Sequence, residues 1–288
     1  MVVSIVHRML RRFRSGSGRA LAGAPIDAEL PPRATVDVEV YSGDPDDVLP
    51  LLQVRRSFGP PFVPVGDVAT SDDGSLFFAT TPCTGRSLWA IAARTPAPAA
   101  VAVRIGQLCL LAHEILHDAA GALPPAAMVS NNLPHMFVEL DGFVACAGPL
   151  ELRGASKLCG GGTLRYVAPE SLDAGPMLGD FRWGQFSAGA FVVELVSGEP
   201  FWAAGESELA RRENMRAYRL HRPIEQRGIV DALVPILVRM TARDPGDRYA
   251  TLVAAREALD PFAGSDDDVR AWLTVSTPPT PRPGDASP

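Results

Sequence analysis

The stretch Gly162-Thr163-Leu164-Arg165-Tyr166-Val167-Ala168-Pro169-Glu170 is the most informative segment of this 288-residue chain. Downstream of it, residues 186–189 read Phe-Ser-Ala-Gly, residues 194–201 read Glu-Leu-Val-Ser-Gly-Glu-Pro-Phe, and residues 243–248 read Arg-Asp-Pro-Gly-Asp-Arg. Each fragment alone can be an ordinary helix cap or turn. Found together in one order, over about ninety residues, they form a specific pattern whose structural context can be tested.

In order and approximate spacing these fragments resemble the larger lobe of eukaryotic-type Ser/Thr protein kinases. The first resembles the end of the activation loop, and the last resembles the Asp-Pro-x-x-Arg motif. The resemblance implies that Glu170 pairs with Arg248, because a carboxylate and a planar guanidinium can form two parallel hydrogen bonds that lock a loop onto a helical lobe. We therefore expect a structural clamp of these two residues. The activation-segment motif would consist of Gly162, Thr163, Tyr166, Ala168 and Pro169.

Hydrophobic periodicity predicts strands early in the chain and helices after them. Val36, Val38 and Val40 alternate with acidic residues, which is typical of a half-buried strand. Two further strands are predicted over residues 63–68 and 75–80, joined by an Asp-Gly turn. A second small hairpin is predicted over residues 136–140 and 143–146. Apolar residues at three-to-four spacing predict helices over residues 98–121, 185–197, 206–220, 229–242 and 251–259.

The resemblance and the order of elements together predict an α+β fold of two lobes. A shortened, β-rich N-lobe would cover about residues 31–82, and a mainly helical C-lobe about residues 83–262. Residues 1–30 begin with several arginines and a Gly/Ser run, which favours a flexible basic leader, with a targeting or membrane-surface helix as the alternative. Residues 263–288 are rich in Asp, Ser and Pro, which predicts a disordered tail.

The positions that would carry kinase chemistry are degenerate. Phosphoryl transfer requires a carboxylate that positions the nucleophile, metal ligands, and a lysine that holds the nucleotide. Counting from the strand predicted at Met136 places Ser130 at the catalytic aspartate and His135 at the metal-binding asparagine. Counting through the hairpin places Gly148 at the metal-binding aspartate. A shifted register that starts at Asp141 finds no catalytic acid upstream either.

The distribution of lysine does not depend on any alignment. Among the 27 basic residues every one except Lys157 is an arginine, and Lys157 falls in the expected activation loop. The nearest small-lobe position is Glu39, whose negative charge would repel a triphosphate. We therefore expect no cofactor, with ATP binding in the absence of magnesium as the less favoured alternative.

A competing motif lies on the predicted helix at residues 98–121. His113, Glu114 and His117 form a complete His-Glu-x-x-His, the pattern in which two histidines one turn apart bind zinc and the glutamate acts as a base. Glu139 or Glu151 would be the third ligand. The alternative interpretation places His113 and Glu114 on the polar stripe of an amphipathic helix, with His117 in its last turn. Because the kinase resemblance expects a helix here, we favour that interpretation and predict no metal.

Composition excludes several other classes of protein. The net charge is −6 and there is no large basic patch that would attract nucleic acid, which argues against a nucleic-acid partner. The four cysteines have no Cys-x-x-Cys spacing, which favours buried thiols in a reducing compartment, and we therefore predict a cytoplasmic protein. The longest apolar runs are too short to span a membrane.

The sequence therefore predicts a pseudokinase, a catalytically impaired kinase-like domain that regulates or scaffolds another signalling protein. A kinase or a kinase substrate would be the partner. The first alternative is an active Ser/Thr kinase with non-standard catalytic residues, and the second is a zinc metalloprotease.

Overall fold

The structure, a computed structural model, describes residues 96–118, 163–172 and 182–275, together with six short strands. Helices dominate the described part of the chain. They are α1 (Ala99–Asp118), α2 (Arg182–Ser197), α3 (Glu208–Arg216), α4 (Val234–Met240), α5 (Leu252–Leu259) and α6 (Asp266–Val275). Short 3-10 turns lie between them at Thr163–Tyr166, Pro169–Leu172, Ile224–Gln226, Pro245–Asp247 and Asp260–Phe262.

The strands form two separate antiparallel sheets of three strands each. The strands are β1 (Asp37–Tyr41), β2 (Val65–Thr70), β3 (Leu76–Thr80), β4 (Arg86–Ser87), β5 (Met136–Val138) and β6 (Val144–Cys146). The first sheet has the order β1-β3-β2, and the second has the order β4-β5-β6. In the first sheet Glu39 lies opposite Phe78.

The core of the described region is built around α1 and α2. Every residue of α2 from Gly184 to Leu195 is buried, which explains why this helix has no polar face in its sequence. Its buried amide, Gln185, is satisfied because Nε2 donates to the carbonyls of Tyr249 and Thr251 while Oε1 accepts from the backbone N–H of Tyr249. A buried polar side chain with all of these partners costs little, and it ties α2 to the start of α5.

Glycines allow α2 to approach its neighbours closely. A Cβ on Gly184 would lie 2.6 Å from Cγ of His113, and one on Gly189 would lie 2.8 Å from Cγ2 of Thr241. Both distances are shorter than side chains tolerate, so neither position accepts a larger residue without movement of the helices. These two contacts set the distances from α2 to α1 and to the end of α4.

The expected fold class, α+β with a β-rich small lobe, is wrong. The described core consists wholly of residues from Ala97 onward, in helices and the turns between them. Within residues 163–275 the described chain has no strand, and its β structure is the isolated bridge between Trp202 and Leu220. The physical reason is that, within the described residues, helices α1 and α2 bury their apolar faces against each other and against α4 to α6, and these helix faces form the described core.

The tail that we predicted from residue 263 is also wrong as far as residue 275. Ser265 and Asp268 form a reciprocal helix cap, in which Ser265 N–H donates to Asp268 Oδ2 and Asp268 N–H donates to Ser265 Oγ. Helix α6 then buries Val269 and Leu273 against the core. Composition suggested disorder because three consecutive aspartates precede few apolar residues, but acidic residues in the first turn of a helix are stabilising.

The other predicted boundaries fall outside the described residues, including the leader over residues 1–30. Of the helices that the structure describes, none is both long enough and apolar enough to cross a membrane.

Candidate functional site

The centre of the candidate site is the ion pair between Glu170 and Arg248. Arg248 Nη1 donates to Glu170 Oε1 at 2.6 Å, and Nη2 donates to Glu170 Oε2 at 2.9 Å. This is the bidentate arrangement that guanidinium and carboxylate groups favour. The structure therefore brings together the two residues that the sequence pairs, and it joins the turn Pro169–Leu172 to the segment before α5.

Arg248 is only 2% exposed, and its remaining donors are also used. Nε donates to the carbonyl of Ala242 at 2.9 Å, and Nη1 donates to the carbonyl of Arg182 at 2.9 Å. The guanidinium carbon lies 4.9 Å from the centroid of the Phe186 ring, a favourable cation–π distance. A buried cation with this many partners positions α2, the turn after α4 and the activation-segment motif relative to one another.

Tyr166 anchors the same motif in the core. Its side chain is 1% exposed and meets the Phe191 ring edge-on, with the ring centroids 5.5 Å apart. Ser187 Oγ donates to the carbonyl of Tyr166 at 2.8 Å. Burial raises the pKa of the Tyr166 phenol above its usual range, so the ring stays neutral at every physiological pH. Ala168 and Pro169, which complete the motif, are buried as well.

A second ion pair is formed by the residue that precedes Tyr166. Arg165 pairs with Glu194 on α2, whose side chain is fully buried. The guanidinium of Arg165 also lies over the Tyr166 ring, 5.7 Å from its centroid. Sequence analysis missed this pair, because the kinase resemblance assigned no partner to either residue. The one available signal is that Glu194 is the single acidic residue of a mainly apolar helix, and such a residue is rarely buried without a partner.

Arg227 is a further structural residue that sequence analysis missed. It is 4% exposed and donates to four backbone carbonyls, those of Glu199, Pro200, Phe201 and Arg222. Burial lowers the pKa of Arg227, yet the carbonyls accept from the charged form and hold the loop after α2 in place. Nothing in the local sequence marks this arginine, because its partners lie 5 to 28 positions away.

The degenerate catalytic positions are not brought together by the described part of the chain. Ser130, His135 and Gly148 lie outside the described residues, as does Gly162. Glu39 lies in β1, and Thr163 begins the 3-10 turn that contains Arg165 and Tyr166. The loss of catalytic groups thus remains a prediction from the sequence.

Of the His-Glu-x-x-His motif, the side chains of His113 and Glu114 lie within the described residues, and that of His117 lies outside them. His113 is 3% exposed and packs against Gly184, and burial lowers its pKa from 6.5 to about 4. Glu114 Oε2 lies 3.4 Å from Arg256 Nη2, which uses the carboxylate that a zinc protease would need as its base. No group of three or more His, Cys, Asp or Glu side chains suited to a metal occurs in the described ranges. Glu139 and Glu151 lie outside them.

Comparison with known proteins identifies the fold. No protein-family model matches the sequence, and no curated protein matches it. Among solved structures, the chain is similar to Rad53 1–466 in complex with AMP-PNP, with a TM-score of 0.59 and 19% sequence identity over 80% of this chain. The chain spans 58% of the length of that structure.

A likeness at this identity defines the fold and says nothing about activity. The chain therefore has a protein-kinase-like fold.

Proposed function

We propose that this chain is a pseudokinase, a kinase-like domain that does not transfer phosphate and instead regulates or scaffolds a partner protein in signalling. The observation that carries the proposal is a contrast. The Glu170–Arg248 pair has full bidentate geometry, whereas the sequence holds a single lysine, Lys157, between the activation-segment motif and the preceding hairpin. The groups that stabilise the fold are present, and no lysine that could hold the triphosphate precedes residue 157.

The sequence register makes several catalytic positions degenerate together, which supports a loss of activity. A kinase that lacks its lysine, its catalytic aspartate or its metal-binding aspartate loses orders of magnitude in rate for each. In this chain the register puts Ser130 and Gly148 at two of these positions. We therefore propose no cofactor, and binding of ATP without magnesium is the outcome that would revise this part of the proposal.

The class of partner follows from the proposed lack of catalysis. A domain that catalyses no reaction acts by binding, so we propose a protein partner, either a kinase or a kinase substrate. The net charge of −6 supports neither a nucleic acid nor an anionic membrane as the partner. The widely separated cysteines support a cytoplasmic location, where thiols remain reduced.

Phosphoryl transfer and nucleotide binding test the first half of the proposal. The full chain is incubated with radiolabelled ATP and either Mg²⁺ or Mn²⁺, alone and with a generic acceptor protein, and its melting temperature is measured with and without AMP-PNP. We expect no label on either protein and no shift in melting temperature. Transfer that disappears in Lys157→Met or Asp141→Asn would contradict the proposal and favour an active kinase with non-standard residues.

Binding to a partner tests the second half. The full chain, tagged and cross-linked, is used to isolate complexes, and each candidate is then reconstituted from purified components at stated concentrations. We expect a stoichiometric complex with a kinase or a kinase substrate whose phosphorylation rate changes on binding. A chain that forms no such complex, or whose partner is unaffected, contradicts the regulatory role.

The zinc-protease alternative has a direct test. Metal analysis of the purified chain should find less than one equivalent of zinc. Stoichiometric zinc that is lost in His113→Ala would overturn our interpretation of residues 113–117.

A further inference from the structure

Helix α3 has an inner face that packs on the rest of the chain and an outer face that is turned to solvent. On the inner face Met215 is 1% exposed, and Asn214 Nδ2 donates to the carbonyls of Ala203 and Ala204, the latter at 2.9 Å. Residues three, four and seven positions apart lie on one side of a helix. The outer face is therefore formed by residues 209, 212, 213 and 216.

This outer face combines an exposed apolar side chain with arginines. Leu209 is 63% exposed, which is the highest value among the large hydrophobic residues in the described part of the chain. Arg216 is exposed and Arg212 is half-buried, and the acidic residue of this face is Glu213. The distance along the helix axis from residue 209 to residue 216 is about 10 Å. A single exposed leucine is ordinary, so the notable feature is its position beside these arginines.

Two further arginines reach the end of α3 from outside the helix. Arg243, in the turn after α4, donates from Nη2 to the carbonyl of Arg216 at 3.1 Å. Arg219 lies just after the helix, and its backbone N–H donates to the carbonyl of Asn214 at 2.8 Å. Both side chains are exposed. We call Leu209 with Arg212, Arg216, Arg219 and Arg243 the α3 patch.

The backbone that carries Arg219 is held in a rare conformation. Tyr218 has a φ of 51°, in the left-handed region that aromatic residues seldom adopt. Its hydroxyl donates to the carbonyl of Thr241, and its ring meets the Trp202 ring edge-on with the centroids 5.8 Å apart. Such a conformation persists where the surroundings fix it. The α3 patch is therefore pre-organised at this end, which lowers the entropy lost when a partner binds.

The charge of this region is opposite to that of the rest of the chain. Residues 209–222 contain five arginines and one glutamate, a net charge of +4, whereas the whole chain has a net charge of −6. The remaining residues therefore have a net charge of −10. Arg222 pairs with Glu199 at 3.0 Å and is left out of the α3 patch for that reason. A local positive surface on an acidic protein selects a negatively charged partner and orients it.

We propose that the α3 patch binds an acidic segment of the protein partner, with carboxylates at the arginines and an apolar side chain against Leu209. Double-stranded DNA is bound through about six to ten phosphate contacts in typical proteins, more than four arginines provide. An apolar contact beside the charges also suits a protein segment. This inference rests on the proposed function, and it deepens that function by giving the chemistry of the partner surface.

Fluorescence anisotropy with the full chain tests the proposal. The probe is a fluorescein-labelled synthetic peptide of repeated Glu-Glu-Leu, and its counterpart of repeated Gln-Gln-Leu has nearly the same shape without the charge. We expect the acidic peptide to bind at least about tenfold more tightly. Raising the salt from about 0.1 M to about 1 M should weaken its binding about tenfold or more, because the Debye length falls from about 10 Å to about 3 Å.

Substitutions locate the site. Arg216→Glu reverses a charge within the α3 patch and should weaken binding of the acidic peptide about tenfold or more. Arg270→Glu is the matched control, because it makes the same change in net charge at an arginine of α6 that is 46% exposed. It should weaken binding by less than about twofold. Leu209→Ala should weaken it about fivefold, since it shortens the apolar contact. Arg219→Glu repeats the first test if Arg216→Glu does not fold.

Three results would overturn the proposal: equal binding of the two peptides, equal losses in Arg216→Glu and Arg270→Glu, or tighter binding of single-stranded RNA or phosphatidylserine vesicles than of the acidic peptide. Radiolabel transfer is measured on the same preparation. Transfer would refute the pseudokinase proposal and leave the α3 patch as a binding surface. A partner complex that is insensitive to Arg216→Glu would refute the α3 patch and leave the regulatory role standing.

Discussion

Arg248 and Glu170 are joined by two parallel hydrogen bonds, of 2.6 and 2.9 Å, although 78 positions separate them in the chain. The pair closes a long stretch of sequence onto the helical body formed by α1 to α6, with the guanidinium buried and the carboxylate 24% exposed. Since Arg248 also donates to the carbonyls of Ala242 and Arg182, its loss would release three segments together.

The first prediction concerns this pair. Glu170→Gln keeps the shape of the side chain but leaves a buried guanidinium without its counter-ion, so we expect the free energy of unfolding to fall by about 3 kcal/mol. Arg248→Lys should also be destabilising, because an ammonium cannot form the two parallel bonds. Urea unfolding monitored by circular dichroism measures both. Asp267→Asn, in the exposed pair of Asp267 with Arg270, serves as the control and should lower the free energy of unfolding by less than about 1 kcal/mol. Equal midpoints for all three variants would refute the clamp.

The second prediction concerns the close approach of α1 and α2. Gly184→Ala would place a methyl group 2.6 Å from Cγ and 2.9 Å from Cδ2 of the His113 ring. We expect a loss of about 1–3 kcal/mol from overpacking. Thermal unfolding should show coupling, because His113→Ala creates space for the new methyl group and makes the double variant less destabilised than the sum of the single ones. Gly246→Ala, which would meet the exposed Asp244 carboxylate at 3.1 Å, is the control. Strict additivity of the two substitutions would show that the helices do not meet at this point.

The third prediction is a dependence of stability on pH. Burial lowers the pKa of His113 from 6.5 to about 4, so between these values the unfolded chain binds the proton and the folded chain does not. The neutral ring therefore makes its full contribution to the free energy of unfolding above pH 6.5. This contribution, at most about 3 kcal/mol, is lost progressively as the pH falls from 6.5 toward 4. Urea unfolding at half-unit intervals from pH 4 to pH 8 measures the slope. His113→Gln should flatten the profile in that window, and an unaltered slope in this variant would assign the effect to other groups.

The fourth prediction concerns helix α6. A variant that ends at residue 262 loses the burial of Val269 and Leu273 and the bond from Arg104 Nε to Asp266 Oδ1. We expect it to be less stable by about 3–5 kcal/mol, since each buried aliphatic side chain contributes about 1.5–3 kcal/mol. A variant that ends at residue 275 should match the full chain in urea unfolding. Equal stability of the two shortened variants would mean that α6 is not part of the folded domain.

The main helices could be predicted from the local spacing of apolar residues. The helix predicted over residues 98–121 corresponds to α1, and that over residues 185–197 corresponds to α2, because apolar spacing in a helix is a local property of the chain. The same reasoning failed for α6, where the first turn is all aspartate. A reciprocal cap with Ser265 and packing against α1 outweigh that composition. It failed for the fold class as well, because periodicity identifies strands but cannot tell whether a sheet contributes to the core.

The sequence by itself determined which chemical groups the protein possesses: a single lysine, an Ala-Pro-Glu motif, and an Asp-Pro-x-x-Arg motif whose arginine could be paired with Glu170 in advance. Only the tertiary structure decided that Arg165 meets Glu194, that Arg227 holds four carbonyls, and that His113 packs against Gly184. The physical reason is that a charge on a short stretch of chain has many possible partners. Burial selects one of them, because an unpaired charge in the core is too costly to keep.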